Sequence, residues 1–159
     1  MSQSGLYQRK VVLGVDASEH SERAFDWYIR NLCDKETDIL LIVHARELPS
    51  VAAAPFASYG YWYYEDIQKE VEKSAKEMND LLKGFGDKCK HHGVNFKLYK
   101  EESNRPGEVI CKLAADDHAH VIVIGARGLN TLRQKILGSV SEYCMHHTHV
   151  PLVVVPSSN

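Results

Sequence analysis

The sequence feature that most constrains the fold is the C-terminal stretch VIVIGARGLNTLRQKILGSVSEYCMHHTHVPLVVV. Its opening apolar run, at 121–124, is typical of a buried strand and ends on Gly125. Two further glycines follow, Gly128 and Gly138, and Ser139 comes directly after the last of them. A strand, a glycine-rich loop and then a helix start form an arrangement that can hold phosphate.

The predicted helix after Gly138 offers the chemistry that an anion needs. Ser139 begins this helix and Glu142 lies three residues on, which is the arrangement of a capping box. Glycines let backbone N–H groups approach an anion closely. The first turn of a helix adds unpaired donors and a favourable dipole. The segment therefore predicts a nucleotide-binding protein.

Apolar runs and helical periodicity alternate along the rest of the chain. Strands are predicted at 11–15, 39–43, 94–101, 121–124 and 152–155. Helices are predicted from 18–21 onward, over 67–89, over 106–118 and from 139 onward. Strands that are apolar throughout are buried on both faces, whereas the alternating pattern of 94–101 predicts an edge strand. The fold class is therefore α/β, a single doubly wound, Rossmann-like domain with a five-stranded parallel sheet and helices on both faces.

Composition narrows the class of protein further. The 159 residues are 44% hydrophobic and 25% charged, which is the balance of one soluble globular domain over 1–159. The net charge of −2 gives no indication of a nucleic-acid partner. We expect no membrane association and no signal peptide, because the apolar runs are short. The four cysteines lack CxxC spacing and are expected to be reduced thiols of a cytoplasmic protein.

Two strand ends carry residues suited to a ligand. Asp16, Ala17 and Ser18 follow the first strand, and the loop from Gly125 to Ser139 follows the fourth. Ligands of doubly wound sheets bind beyond the carboxyl ends of strands, where the strand order reverses. If strands one and four are neighbours, these two loops face each other across one crevice.

With these motifs in view, the chain resembles the universal stress protein family over nearly its whole length. The segments that carry the resemblance are KVVLGVDASEHSERAFDW, DILLIVHARE and RPGEVI. The decisive motif is Gly125-x2-Gly128-x9-Gly138-Ser139, which marks the ATP-binding branch of that family. The resemblance implies an ATP-binding stress-response protein that acts as a nucleotide-dependent sensor or regulator.

The same resemblance implies a role for each candidate residue. Val15, Asp16 and Ala17 would line the adenosine side of the pocket, and Ala45 would approach the adenine through its backbone. The residues implied to contact ribose and phosphates are Gly125, Arg127 and Gly128. Those implied to hold the phosphate tail are Gly138, Ser139, Val140 and Ser141. The implied cofactors are ATP (or ADP or AMP) and Mg²⁺, which would bridge phosphate oxygens.

Each assignment has an alternative reading. The glycines can serve as ordinary turn residues, and Asp16 can cap the first helix with or without a ligand. Ser141 can be only a first-turn helix residue. The histidine clusters at 91–92, 118–120 and 146–149 favour a solvated surface over a metal site, since no cluster shows a recognised ligand spacing. The aromatic segment at 47–64 is left open between a lid, a partner surface and packing over a helix end.

Enzymatic activity is not predicted. No Walker lysine follows the glycines and no GxGxxG motif follows the first strand. The competing hypotheses are a slow ATP hydrolase that uses the same crevice and an interaction protein with a vestigial pocket.

The last strand, Leu152–Val155, predicts a twofold homodimer. It is short, apolar and last in the chain, so we expect it at a sheet edge, where an apolar strand is a liability unless it pairs. The resembled family uses this strand to form dimers.

Overall fold

The computed structural model describes residues 8–46, 60–126 and 138–157. Within these ranges the strands are β1 Arg9–Gly14, β2 Asp38–Ala45, β3 Asn95–Glu101, β4 Val121–Gly125 and β5 Leu152–Val155. The helices are α1 Glu19–Asn31, α2 Gly60–His92, α3 Pro106–Asp116 and α4 Ser139–His147. Strands and helices alternate as the apolar periodicity predicts.

The strands form one parallel sheet in the order β3-β2-β1-β4-β5. The order runs outward in one direction from β1 through β2 and in the other through β4, which confirms the doubly wound prediction. Val11 of β1 pairs with Val121 of β4, so the two strands with ligand-suited ends are neighbours. The predicted edge positions of β3 and β5 are also confirmed.

The core has two layers because alternate strand residues point to opposite faces of the sheet. Val11 and Leu13 pack with α1 and α2, through residues such as Phe25 and Phe85. Val12, between them in sequence, packs instead with α3 and α4 on the other face. Helices therefore cover both faces of the sheet.

The sequence misplaces the start of α2 and the N-cap of α4. α2 begins at Gly60, seven residues before the first periodic residue, Ile67, because the aromatic stretch at 61–64 is helical without showing a helical period. Tyr64 is exposed at this end, and residues 47–59 of the aromatic segment lie outside the described residues. The N-cap of α4 is Gly138 rather than Ser139.

The capping box predicted for α4 is therefore wrong. The Glu142 N–H donates to the Gly138 carbonyl at 2.9 Å, so Ser139 is already the first helical residue. No side chain caps this helix start. The first-turn N–H groups of Ser139, Val140 and Ser141 precede the first intrahelical donor and have no partner within the helix.

Candidate functional site

A cavity of about 250 Å³ opens at the carboxyl ends of β1 and β4. This is the point where the strand order reverses, the position at which doubly wound sheets bind ligands. The structure brings eight of the predicted site residues together on its walls: Val15, Asp16, Ala45, Gly125, Gly138, Ser139, Val140 and Ser141. Ala17 belongs to the same loop as Asp16 but is not among the described residues that line the cavity. Arg127 and Gly128 lie outside the described residues.

The loop after β1 is held in shape by Asp16. Its Oδ1 accepts hydrogen bonds from the Ser18 N–H at 2.9 Å, from the Ser18 hydroxyl and from the Ser21 hydroxyl at 2.8 Å. The Asp16 N–H in turn donates to Ser21 Oγ at 2.8 Å. Asp16 thus organises the entry to α1 while remaining at the cavity wall. The capping role and the ligand role are compatible, as the sequence suggested.

The end of β1 is tied to β2 by a buried histidine. His44 Nδ1 lies 2.7 Å from the Val15 carbonyl, and a carbonyl can only accept, so this ring nitrogen carries a proton. The Val15 N–H donates to the Val43 carbonyl at 2.9 Å. These two bonds fix Val15 beside Ala45, the β2 residue on the cavity wall.

Neither the backbone angles of Gly138 nor the described residues around it require a glycine at this position. Its φ of −60° and ψ of 154° suit any residue, since this is ordinary extended backbone. A Cβ built on it would meet no atom of the described residues within 4 Å. The space beside Gly138 belongs to the cavity, so a side chain there would enter the volume available to a ligand.

Gly125 is different, because the fold itself requires it. A Cβ on Gly125 would overlap the backbone carbonyl of His20 in the first turn of α1 and would lie 2.6 Å from the carbonyl carbon. This close approach brings the start of the glycine-rich loop against the start of α1. Two loops that are far apart in sequence thereby form opposite walls of one cavity.

The sequence missed several cavity residues. Pro106 and Ile110 reach the cavity from α3, and His20 and Ser21 reach it from the start of α1. Only the packing of α1 and α3 against the sheet decides these contacts. Ser18 also lines the cavity, but Ser18 belongs to the loop already predicted to suit a ligand. The sequence offered one signal for His20, which lies near the N-terminus of the helix that follows the Asp16 loop. A residue at that position lies near the carboxyl ends of the strands.

The described residues contain no group of three or more His, Cys, Asp or Glu side chains that could hold a metal ion. The histidine clusters therefore provide no protein cage in this part of the chain.

The fold agrees with what sequence comparison finds. The family model of the universal stress protein family matches residues 8–156. The chain belongs to this family. It is 31% identical over 151 residues to a putative universal stress protein of Staphylococcus saprophyticus, which covers 94% of this chain and 84% of that protein.

Solved structures of other universal stress proteins share the fold. One from Arabidopsis thaliana, with AMP bound, has a TM-score of 0.67 and 23% identity, and the match covers 94% of this chain and 92% of that one. A universal stress protein in complex with cAMP has a TM-score of 0.63 and 20% identity, covering 96% and 99% of the two chains. At these identities the likeness establishes the fold. In the described part of this universal stress protein, no helix is both long and apolar enough to cross a membrane.

Proposed function

We propose that this universal stress protein belongs to the ATP-binding branch of its family and binds an adenine nucleotide in the cavity between β1 and β4. The observation that carries the proposal is the open space beside Gly138. Neither the backbone angles of Gly138 nor its described neighbours require a glycine. A ligand that occupies the volume of the missing side chain would explain why a glycine is present. That space adjoins the N-terminus of α4, where unpaired N–H groups and the helix dipole favour a phosphate.

The roles proposed for the individual residues follow the position of each on the cavity wall. Ala45 lies at the end of β2 and Gly125 at the end of β4, with the Asp16 loop between them. We assign the base and ribose to the side of Ala45, Val15 and Asp16. The phosphates belong on the side of Gly125 and the first turn of α4, with Ser139 and Ser141 as hydroxyl donors.

The same proposal extends to the predicted residues that do not line the described cavity. Ala17 would contribute through the shape of the Asp16 loop. Arg127 and Gly128, in the glycine-rich loop, would contact ribose and phosphates. Hydrogen bonds to charged groups contribute roughly 1.5–3 kcal/mol each, so three or four at the phosphates support micromolar binding after the cost of association.

Mg²⁺ fits this site as a companion of the phosphates. Mg²⁺ retains several waters and binds phosphate oxygens with few protein ligands. The described residues supply no three-ligand cluster, which accords with an ion held chiefly by the nucleotide. Chelation of Mg²⁺ is therefore expected to weaken ATP binding more than AMP binding.

The function we propose is that of a nucleotide-dependent sensor or regulator rather than an efficient hydrolase. The carboxylate at the cavity wall, Asp16, accepts three hydrogen bonds that organise its own loop. Such a carboxylate serves to position residues more readily than to abstract a proton from water. The AMP and cAMP found in the two relatives make those nucleotides, with ATP and ADP, the first ligands to test.

Isothermal titration with ATP and Mg²⁺, on protein first freed of bound nucleotide, tests the proposal. The informative variant is Gly138→Val, whose side chain enters the cavity. The matched control is Gly84→Val, because Gly84 in α2 also has open space around its Cβ and is remote from the cavity. A Ser139→Ala variant tests the hydroxyl contribution separately.

We expect micromolar binding by the wild type and by Gly84→Val, and loss of binding in Gly138→Val with no comparable loss of thermal stability. Binding that survives in Gly138→Val would place the ligand elsewhere. Absence of binding in the wild type would leave the chain as an interaction protein with a vestigial pocket. Turnover of ATP by the wild type well above that of Gly138→Val would favour a slow hydrolase.

A further inference from the structure

We propose that His20 is a further ligand-contacting residue of this cavity, that its Nε2–H donates to a phosphate oxygen of the nucleotide, and that Arg23 is the positioning residue that sets this tautomer. The inference rests on the proposed nucleotide site. It adds a residue that the glycine motif does not contain.

His20 lies where the phosphates are expected. It is half-buried in the first turn of α1 and lines the cavity. Its backbone carbonyl packs against Gly125, and its own Cβ would lie 3.1 Å from a Cβ at that position. The imidazole is therefore beside the start of the glycine-rich loop, on the β4 side of the cavity. Ala45, which we assign to the base, is on the β2 side.

Arg23 fixes which ring nitrogen carries the proton. Its Nη2 lies 2.7 Å from His20 Nδ1. A guanidinium has only donors, so Nδ1 must accept. The proton of the neutral ring is then on Nε2, for which the described residues provide no hydrogen-bond partner, so this edge can face a ligand. A fixed cation behind the ring also polarises the imidazole and strengthens Nε2–H as a donor.

The arginine is itself held in place from both neighbouring strands. Its Nη2 donates to the Ala126 carbonyl, directly after β4, at 3.2 Å. Its Nε donates to the Pro156 carbonyl, directly after β5, also at 3.2 Å. Arg23 therefore joins α1 to the ends of β4 and β5 and presents His20 in one orientation. A donor fixed before the ligand arrives loses little conformational entropy on binding.

Phosphate is the ligand group that suits this donor best. A hydrogen bond to a charged oxygen is stronger than one to a neutral base or hydroxyl. The amides at the start of α4 are on the same cavity, so His20 and α4 can contact one phosphate chain from two walls. The contribution of His20 should then grow with the number of phosphates and vanish for adenosine.

The test compares ADP with adenosine in calorimetric titrations of two His20 variants. His20→Phe keeps a ring of similar size without a donor, and His20→Gln restores a donor near the position of Nε2. The matched control is His91→Phe, because His91 is exposed at the C-terminal end of α2. Melting temperatures of all variants show whether a change in affinity is only a change in folding.

We expect His20→Phe to weaken ADP binding by roughly five- to tenfold and to leave adenosine binding unchanged. His20→Gln should retain most of the ADP affinity, and His91→Phe should match the wild type. Equal ADP affinity in the wild type and His20→Phe would overturn the inference and leave the proposed function intact. The same conclusion would follow if His20→Phe lost affinity for ADP and adenosine to the same extent. A wild type that binds neither ligand would overturn both.

A double-mutant cycle tests the role of Arg23. Arg23→Met should also weaken ADP binding, because the ring loses its fixed tautomer. Most of that loss should disappear when Arg23→Met is introduced into His20→Phe, since residues that act through one another are not additive. Fully additive losses would contradict the positioning role.

Discussion

At the residue scale, the clearest electrostatic element is Asp38, which is fully buried at the start of β2. Arg9 donates to it twice, Nε to Oδ1 at 2.6 Å and Nη2 to Oδ2 at 2.7 Å. The Tyr28 hydroxyl and the Asp34 N–H also donate to Oδ2, at 2.9 and 3.0 Å. Burial acts to raise the pKa of Asp38, but these bonds outweigh it and hold the pKa below its usual value.

A depressed carboxyl pKa makes stability depend on pH in a defined direction. The stabilisation is fully present above the unfolded pKa of about 3.9 and is lost as pH falls through the lower folded pKa. We expect Asp38→Asn to cost about 2–3 kcal/mol at neutral pH, because Arg9 loses its charged partner. The variant should then lose less further stability than the wild type between about pH 4 and pH 2.

Urea unfolding of both proteins across this pH range checks the prediction. The exposed Lys83–Asp87 pair offers a control, Asp87→Asn, with a small expected effect. Parallel pH profiles for the wild type and Asp38→Asn would contradict it. Asp38 lies at the end of the sheet opposite the cavity, so nucleotide affinity at neutral pH should be unaffected.

The glycines show what single residues reveal before the structure is known. The spacing of Gly125 and Gly138 predicts that both serve a ligand. In the structure Gly125 is required by the His20 carbonyl, whereas Gly138 is not required by any described neighbour. The sequence alone does not distinguish these two roles, because the role of each glycine depends on which parts of the folded chain lie beside it.

At the scale of elements, α3 and α4 pack closely, and both carry cavity residues. A Cβ on Gly107 of α3 would lie 2.8 Å from the Cβ of Tyr143 in α4. The Cys144 thiol lies 3.8 Å from the Gly107 carbonyl in the same contact. Pro106, directly before Gly107, and Ile110, about one helical turn after it, line the cavity, as does the first turn of α4. The separation of these two helices therefore sets the width of one side of the cavity.

We expect Gly107→Ala to destabilise the protein by about 1–3 kcal/mol, since the added methyl must push α3 away from α4. Its affinity for ADP should fall as well, because the cavity walls move apart. Gly84→Ala is the matched control, with open space at its Cβ and no expected loss. Thermal unfolding and titration of both variants check the prediction. Unchanged stability in Gly107→Ala would show that the helices yield without cost.

The elements were predictable to different degrees. Each strand was located within two residues, because an apolar run bounded by polar residues has few alternatives. The start of α2 was missed because aromatic residues at 61–64 give no helical period. The start of α4 at Ser139 is confirmed, but its N-cap is Gly138, which has no side chain to signal a cap in the sequence. His20 was missed because its place depends on α1 meeting β4.

At the scale of the whole molecule, β5 is the element through which we expect two copies of the protein to assemble. β5 is the last strand of the sheet, so one of its backbone edges has no partner among the described strands. Ile122 donates to the Pro151 carbonyl and Ala126 to the Val155 carbonyl, both at 2.8 Å. In a parallel ladder the intervening residues point their polar groups the other way.

Leu152 and Val154 therefore present their N–H and C=O groups to the open edge. Their side chains pack with the α3 and α4 layer. A partner at this edge would therefore pair through backbone hydrogen bonds rather than through an apolar face. An edge without a partner among the described strands is a template on which another strand can pair. A second copy of β5 is the proposed partner, since a twofold axis would satisfy both edges at once.

The variant Val154→Pro tests whether dimer formation can be abolished without unfolding the protein. Proline removes the Val154 N–H, which points to the open edge, and keeps the bonds between β5 and β4. We expect the wild type to sediment as a dimer and Val154→Pro as a folded monomer with its nucleotide affinity retained. Val153→Pro is the control, because it removes an N–H directed at β4 and should lower stability. A wild type that stays monomeric at high concentration, or a dimeric Val154→Pro, would show that β5 is not the interface.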